Sequence, residues 1–452
     1  MNDEQGRHVR VEQIDFASVL PVLHVFRSFR MAIHPHRLAL ALLLVLGLYG
    51  LAWLVDAVVE RPAPHRAFTA YRLDQATYDA SGQWVRTDQA IFETVGRVGA
   101  QSLRQLVASA ARLELGLARA VETRSLAGGG VVGALGTLLV TLPTWLVTTH
   151  PFATLSFALV ALLWTALLGG AIARSAAVGA AGLAPANAPA SPPRAQPAGL
   201  TAALRFTVRR YIWFCVAPLL PLVIVGLVGL LMALAGLALF NVPGLDIVGG
   251  VLFGLLLAGG LIAAIVLLGL IAAGHLLWPG LAVEGTDAFD VISRAYNYVF
   301  GQPWRTAGYA LITIIYGSLA YLFVALVLSL ALVLTHLFVG AWVFGEAEPG
   351  VSRFDAMFGP PGLMHLAAPA RFESLGVTGS VAAGLIQAWT LLLAALGPAF
   401  AVSFYFCGAT WVYLLLRRAS DGTSFEDVDI DNIRSGVDAD EAAETDAEHR
   451  EP

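Results

Sequence analysis

Ile247 to Val283 reads IVGGVLFGLLLAGGLIAAIVLLGLIAAGHLLWPGLAV, 37 residues without an acid or an arginine. A helix crossing a hydrocarbon core of about 30 Å needs roughly 20 apolar residues, so this stretch by itself predicts an all-α integral membrane protein. The rest of the chain agrees. Of 452 residues, 13% are charged and 57% belong to the apolar set, whereas soluble domains carry about a quarter charged residues.

Upstream, Asn241-Val242-Pro243-Gly244 has the chemistry of a turn and separates this span from Tyr211 to Leu245. Leu38 to Val55, Thr306 to Gly345 and Ser374 to Leu416 are further uncharged runs, and Gly397-Pro398 should kink the last. Ser125 to Ala173 is ambiguous, because Thr148-Thr149-His150-Pro151 interrupts it and it can hold one crossing or two. Arginines in short flanking loops belong on the cytoplasmic side. One crossing there, Phe152 to Ile172, places Arg27, Arg30 and Arg37, then Arg174, Arg194, Arg205, Arg209 and Arg210, and finally Arg417-Arg418 all on that side. The expectation is therefore about six transmembrane helices plus interfacial helices, multi-pass in the cytoplasmic (inner) membrane of a bacterium, with both termini cytoplasmic. Gly128 to Val147 becomes a re-entrant or interfacial segment.

The organisation follows from these spans. A cytoplasmic amphipathic segment, 1–37, precedes the first transmembrane helix, 38–58, and an extracytoplasmic helical region, 59–151, precedes the second, 152–173. An Ala/Pro-rich cytoplasmic linker, 174–210, leads to a four-helix transmembrane module, 211–418, with a cytoplasmic interfacial helix, 286–300, and an outer loop, 345–385. The tail, 419–452, is acidic and expected to be disordered: from residue 421 on it holds twelve acids and two arginines.

Several shorter patterns refine this outline. In residues 20–34, Val22, Phe26, Phe29 and Ile33 share one helical face and His24, Arg27, Arg30 and His34 the other, as in a helix lying in the membrane interface. Tyr78 to Val85 suits a short hairpin around Ser81-Gly82. Leu103, Leu106, Val107, Ala110, Leu113, Leu117 and Val121 recur at helical spacing and need a partner.

All 27 basic residues are arginine. Without lysine there is no P-loop, kinase-type, Schiff-base or Ser-Lys chemistry. Cys215 and Cys407 sit in apolar stretches and read as buried small hydrophobes. Gly128, Gly130 and Gly133 spell G-x-G-x-x-G, but no acid follows until Asp246. Asp427, Asp429, Asp431 and Asp438 have part of a calcium-loop spacing, with Asn432 where glycine is required. His34 and His36 offer only two ligands for a metal. No catalytic, cofactor or metal site is expected. His275 and His336 are the ionisable groups nearest membrane depth, and Tyr309, Thr313 and Tyr316 form a polar transmembrane face that suits interhelical hydrogen bonds or, in a transporter, a pathway.

The most distinctive segment is Trp278 to Arg305, WPGLAVEGTDAFDVISRAYNYVFGQPWR. Phe289, Ile292, Tyr296 and Val299 share a face, Asp290 stands four residues before Arg294, Thr286 or Asp287 can cap the start, and Gly301 with Pro303 ends it. Glu284, Asp287, Asp290, Ser293, Arg294, Trp304 and Arg305 form the candidate interfacial motif, with a clamp expected between Glu284 and Arg305. The pattern Glu284, Ala288, Ser293, Arg294, Trp304 resembles the membrane domain associated with bacterial glycerophosphoryl diester phosphodiesterases and related polytopic proteins. That resemblance implies a multi-span helical module. The activity of those fusions resides in a separate soluble domain, so hydrolysis is not implied. Three functions follow in order: a non-enzymatic membrane scaffold or assembly protein, a transporter or channel for a small or lipidic substrate, and an intramembrane enzyme. Partners expected are membrane lipids and other membrane proteins or a second copy, and no nucleic acid.

Overall fold

The computed structural model describes residues 21–58, 77–78, 84–85, 91–116, 130–182, 199–361, 370–423, 425 and 428. The protein is an all-α polytopic membrane protein. A 3-10 segment, Pro21–Phe26, leads into α1 (Arg27–Ala32) and α2 (Pro35–Val58). A two-residue ribbon, β1 (Thr77–Tyr78) and β2 (Trp84–Val85), precedes α3 (Ile91–Ala111). Next come α4 (Gly130–Gly136), a π-helical turn at Thr137–Thr141, α5 (Leu142–Thr149), α6 (Pro151–Ala181) and α7 (Leu200–Arg209). The long helices α8 (Tyr211–Phe240) and α9 (Leu245–Glu284), the short α10 (Ala288–Gly301) and α11 (Pro303–Gly340) follow. A ribbon of β3 (Glu346–Glu348) and β4 (Val351–Ser352), then α12 (Arg353–Met357), lead to α13 (Val377–Asp421).

Among the described residues, seven helices are long and apolar enough to cross a membrane, one more than the arginine pattern selects. The additional one is Gly130–Thr149, the run formed by α4, the π turn and α5. The chain divides into two compact units, Met1–Val45 with Thr165–Pro452, and Leu46–Trp164.

In the larger unit the packed core gathers at one end of α6, α9 and α13. Leu276 to Val283 of α9 are buried almost throughout, as are Phe406 to Leu416 of α13 and Ala171 to Ala177 of α6, whereas Ile247, Val251, Leu255 and Leu261 of α9 are exposed. This explains how α9 can be 40 residues long, about 60 Å at the helical rise and twice a hydrocarbon core. Its exposed part suffices to cross, and its last two turns are buried in protein. The turn before α9 is closed by Asp246, whose Oδ1 accepts from Gly244 N and Ile247 N at 3.0 Å each, with Gly244 at φ +92°. Arg37 at the start of α2 donates through Nε to Ser175 Oγ (2.9 Å) and through Nη2 to Ser175 O (2.7 Å) near the end of α6, and further along Gly47 of α2 lies against the Trp164 ring of α6, so these two helices are antiparallel.

The smaller unit comprises the end of α2, then α3, α4 and α5, and the start of α6. Both oxygens of Asp56 accept from Phe92 N, at 2.9 and 3.1 Å, tying the end of α2 to the start of α3. Ile91, Trp145 and Ala153 form its buried cluster with Val55 and Leu146 around them. Val131 and Val132 donate to Glu114 O and Leu115 O, so α4 and α5 run back along α3.

Two expected faces differ from those observed. In α3, Ile91, Thr94, Val98, Ser102 and Ser109 are buried, Leu103 is exposed, and Leu113 lies beyond the helix end in a left-handed conformation; Leu117 and Val121 lie outside the described residues. In the N-terminal segment His24, Val25, Ser28, Met31 and Ala32 are buried while Phe26 and Ile33 are exposed. That segment is docked on α13, with Ser403 Oγ donating to Ala32 O (2.9 Å) and Trp411 Nε1 to Met31 Sδ (3.1 Å). An apolar face is equally at home against lipid, and the polar face found donors and rings inside the protein.

Candidate functional site

The charged residues of Trp278 to Arg305 meet at the junction of α9 and α10. Glycine ends α9: Gly285 takes φ +65°, which an L side chain rarely adopts, and its N–H closes on Leu281 O. The free carbonyls at this helix end carry partial negative charge, and arginines from other helices cover them. Arg174 of α6 donates through Nη1 to Ala282 O (2.7 Å), and Arg210, just before α8, donates to Gly285 O. Both guanidinium groups stack on Phe206 of α7, with their Cζ atoms 3.9 and 4.9 Å from the ring centroid. Arg174 is 1% exposed. Trp278 Nε1 donates to Phe214 O at 2.8 Å, fixing α9 to α8.

Glu284, the last residue of α9, has a side chain only 7% exposed. Its Oε1 accepts from Tyr413 OH at 2.9 Å and forms an ion pair with Arg417 Nε, also at 2.9 Å. Arg294 Nη1 of α10 lies 3.6 Å from Oε2. Arg294 in turn pairs with Asp290 one helical turn earlier, at 3.1 Å. Burial acts against the Arg294 charge, but the hydrogen bond to Asp290 and the Glu284 carboxylate beside it hold its pKa above the ordinary arginine value. Tyr298 OH donates to Asp421 Oδ2 at 2.6 Å, and its ring meets Tyr413 edge-on. Burial, with that hydrogen bond and the Asp421 and Glu284 charges, pushes the Tyr298 pKa up. The result ties α9, α10 and α13 through charge-assisted bonds, with α6, α7 and α8 gripping the end of α9.

The sequence motif is thus only partly one site. Glu284, Asp290 and Arg294 converge. Asp287 caps α10, its Oδ1 accepting from Asp290 N at 2.9 Å. Ser293 is exposed, Trp304 is 88% exposed, and Arg305 donates to Gln302 Oε1 at 3.2 Å on the surface. The expected Glu284–Arg305 clamp is therefore corrected to Glu284 with Arg417 and Arg294. The physical reason is distance: α10 has 14 residues, about 21 Å of helix, which carries the start of α11 away from Glu284. The protein-facing stripe of α10 also shifts, to Ala288, Val291, Ala295, Tyr298 and Val299, leaving Phe289 exposed. Tyr296 lies over Gly269, where any Cβ would collide with its ring, and donates to Val266 O at 2.8 Å.

Sequence reasoning did not assign Arg174, Arg210, Tyr413 or Arg417 to this site. The signal available was the arginine pattern itself, which placed their helix ends on one membrane face. The Tyr309, Thr313, Tyr316 face is engaged in packing. Thr313 Oγ1 bonds Tyr309 O within α11 (2.7 Å) and its methyl lies over Gly408, while Tyr316 OH donates to Phe26 O at 3.1 Å. His336 Nε2 pairs with Asp355 Oδ1 at 3.0 Å among Phe354 and Phe358. The rings of His34 and His36 are tilted by 54° with centroids 4.2 Å apart, and His36 Nε2 is 2.8 Å from Ser175 Oγ. Among the described residues, no three His, Cys, Asp or Glu side chains are placed to share a metal ion. No protein-family model matches the chain, and no curated protein or solved structure matches it either.

Proposed function

We propose that the protein is a non-enzymatic scaffold or assembly protein of a bacterial inner membrane, with both termini and the Glu284 cluster on the cytoplasmic side. The observation that carries this reading is the use made of the charged and hydroxyl side chains. Glu284 accepts from Tyr413 and is ion-paired with Arg417 and Arg294, Arg174 and Arg210 cover backbone carbonyls, and the Tyr309 face binds α13 and the N-terminal segment. These contacts join helices to one another, as a rigid support requires, and transport or catalysis would need such groups turned to a solute.

The orientation has its own support. Arg37 and Ser175 are bonded, so α2 and α6 run in opposite directions, and the hairpin of α3 with α4 and α5 returns the chain to where it left. The starts of α2, α8 and α11 and the ends of α6, α9 and α13 then share one face, and the arginines there make it the cytoplasmic one. The likeness of Glu284, Ala288, Ser293, Arg294 and Trp304 to the membrane domain of glycerophosphoryl diester phosphodiesterases fits a multi-span module without hydrolytic chemistry.

Purification from native membranes in mild detergent tests the function. A stoichiometric protein partner, retained at moderate salt, is the expected result. A chain that purifies alone and moves a solute in proteoliposomes would replace the scaffold with a transporter.

A further inference from the structure

α10 lies between two arginine-bearing segments and turns large rings outward. Opposite its buried stripe it exposes Phe289 and Phe300, and just past its end stand Trp304 and Arg305, both exposed. At its other end the bond from Arg210 to Gly285 O brings the start of α8 against the start of α10, and Arg209 next to it is exposed. Exposed aliphatic side chains begin within two turns, at Ile212 and Leu219 on α8 and at Leu311 and Ile314 on α11. Of the acids on α10 and its cap, Asp290 is paired with Arg294 and Asp287 keeps its charge while capping the helix, so Arg209 and Arg305 outweigh it and leave this rim positive by one charge.

Open aromatic rings between exposed cations and exposed aliphatics mark the headgroup level of a bilayer. Guanidinium groups there match a phosphate oxygen pair with two parallel N–H donors. We propose that this rim, α10 with Arg209, Trp304 and Arg305, is a binding surface for anionic phospholipid, the arginines on headgroup phosphate and the rings among the glycerol and upper acyl segments. Charge complementarity and continuity with the exposed aliphatic surface of α8 and α11 select lipid over a soluble partner. The proposal rests on the chain crossing a bilayer and is independent of the scaffold reading.

Thermal unfolding of the full chain in detergent, titrated with phosphatidylglycerol or with phosphatidylcholine of the same acyl chains, tests it. Phosphatidylglycerol should raise Tm in a saturable way and phosphatidylcholine should do so far less. Inorganic phosphate at the same concentration should leave Tm unchanged. Arg209→Gln and Arg305→Gln should each raise the half-saturating lipid concentration about fivefold, from the contribution of one surface arginine to anionic lipid binding. Both side chains are exposed, so lipid-free Tm should stay at the parent value, and Trp304→Ala should weaken both lipids. Equal responses to the two headgroups, a full shift from phosphate alone, or unchanged titrations in both arginine variants would overturn the proposal.

Discussion

Arg417 on α13 meets Glu284 at the end of α9 with Nε and Oε1 2.9 Å apart, the two side chains 11% and 7% exposed. Buried this far, neither charge is easily left without the other. Arg305, by contrast, is on the surface beside Gln302. Arg305→Gln should therefore change unfolding free energy by less than about 0.5 kcal/mol, as surface substitutions do. Thermal or denaturant unfolding in lipid-free detergent checks this, and a loss comparable to that of Arg417→Gln would reinstate Arg305 as the partner.

Tyr298 gives an alkaline signature. Burial first, then the bond to Asp421, holds its pKa above the usual tyrosine value. The unfolded chain releases the proton first, at about pH 10, so this contribution is complete below that pH and is lost as pH rises toward the folded pKa. Tyr298→Phe should cost about 1 kcal/mol at neutral pH, the net value of one hydrogen bond. It should also make the alkaline loss shallower, as read from Tm between pH 8 and 11.

His34 gives the opposite one. Burial, then the Arg37 charge, lowers its pKa, and its Nδ1 is buried without a hydrogen-bond partner among the described residues. The unfolded chain takes up the proton first, so stability falls as pH drops below about 6.5 and levels off below the folded pKa. His34→Gln should remove part of that fall in a Tm series from pH 7.5 to 5.

Reporter fusions address the membrane arrangement. Fusions after Arg37, at Ala190 and after Arg418 should all read as cytoplasmic, because α2 and α6 are antiparallel. An external signal at Ala190, and with it after Arg418, would require a third crossing between Arg37 and the linker.

Close packing of α10 on α9 predicts a further cost. Gly269→Val should displace the Tyr296 ring and break its bond to Val266 O, lowering stability by about 1–3 kcal/mol as overpacking does. Gly254→Ala, where no described residue lies within 4 Å of the added Cβ, is the matched control and should stay near the parent Tm.

Much of this architecture is legible in local chemistry. The span at Ile247 to Val283, the break at Asn241 to Gly244, and the limits of α10 between Asp287 and Gly301 depend on residues adjacent in the chain. The faces of α1 and α10 were not legible, because lipid and protein interior both accept Phe26 or Phe289, and periodicity does not distinguish the two. The partner of Glu284 was also hidden. Arg294 is close in sequence, but Arg417 and Tyr413 come from the last helix, and only the folded bundle brings them there.

Glu284 joins the ends of α9 and α13, and a double-mutant cycle on Glu284 and Arg417 tests this most directly. Glu284→Gln and Arg417→Gln should each destabilise the protein in detergent by about 3 kcal/mol, because each leaves a buried charge poorly compensated. The double variant should cost less than the two together by at least about 1 kcal/mol. Additive effects, or single variants as stable as the parent, would contradict the account.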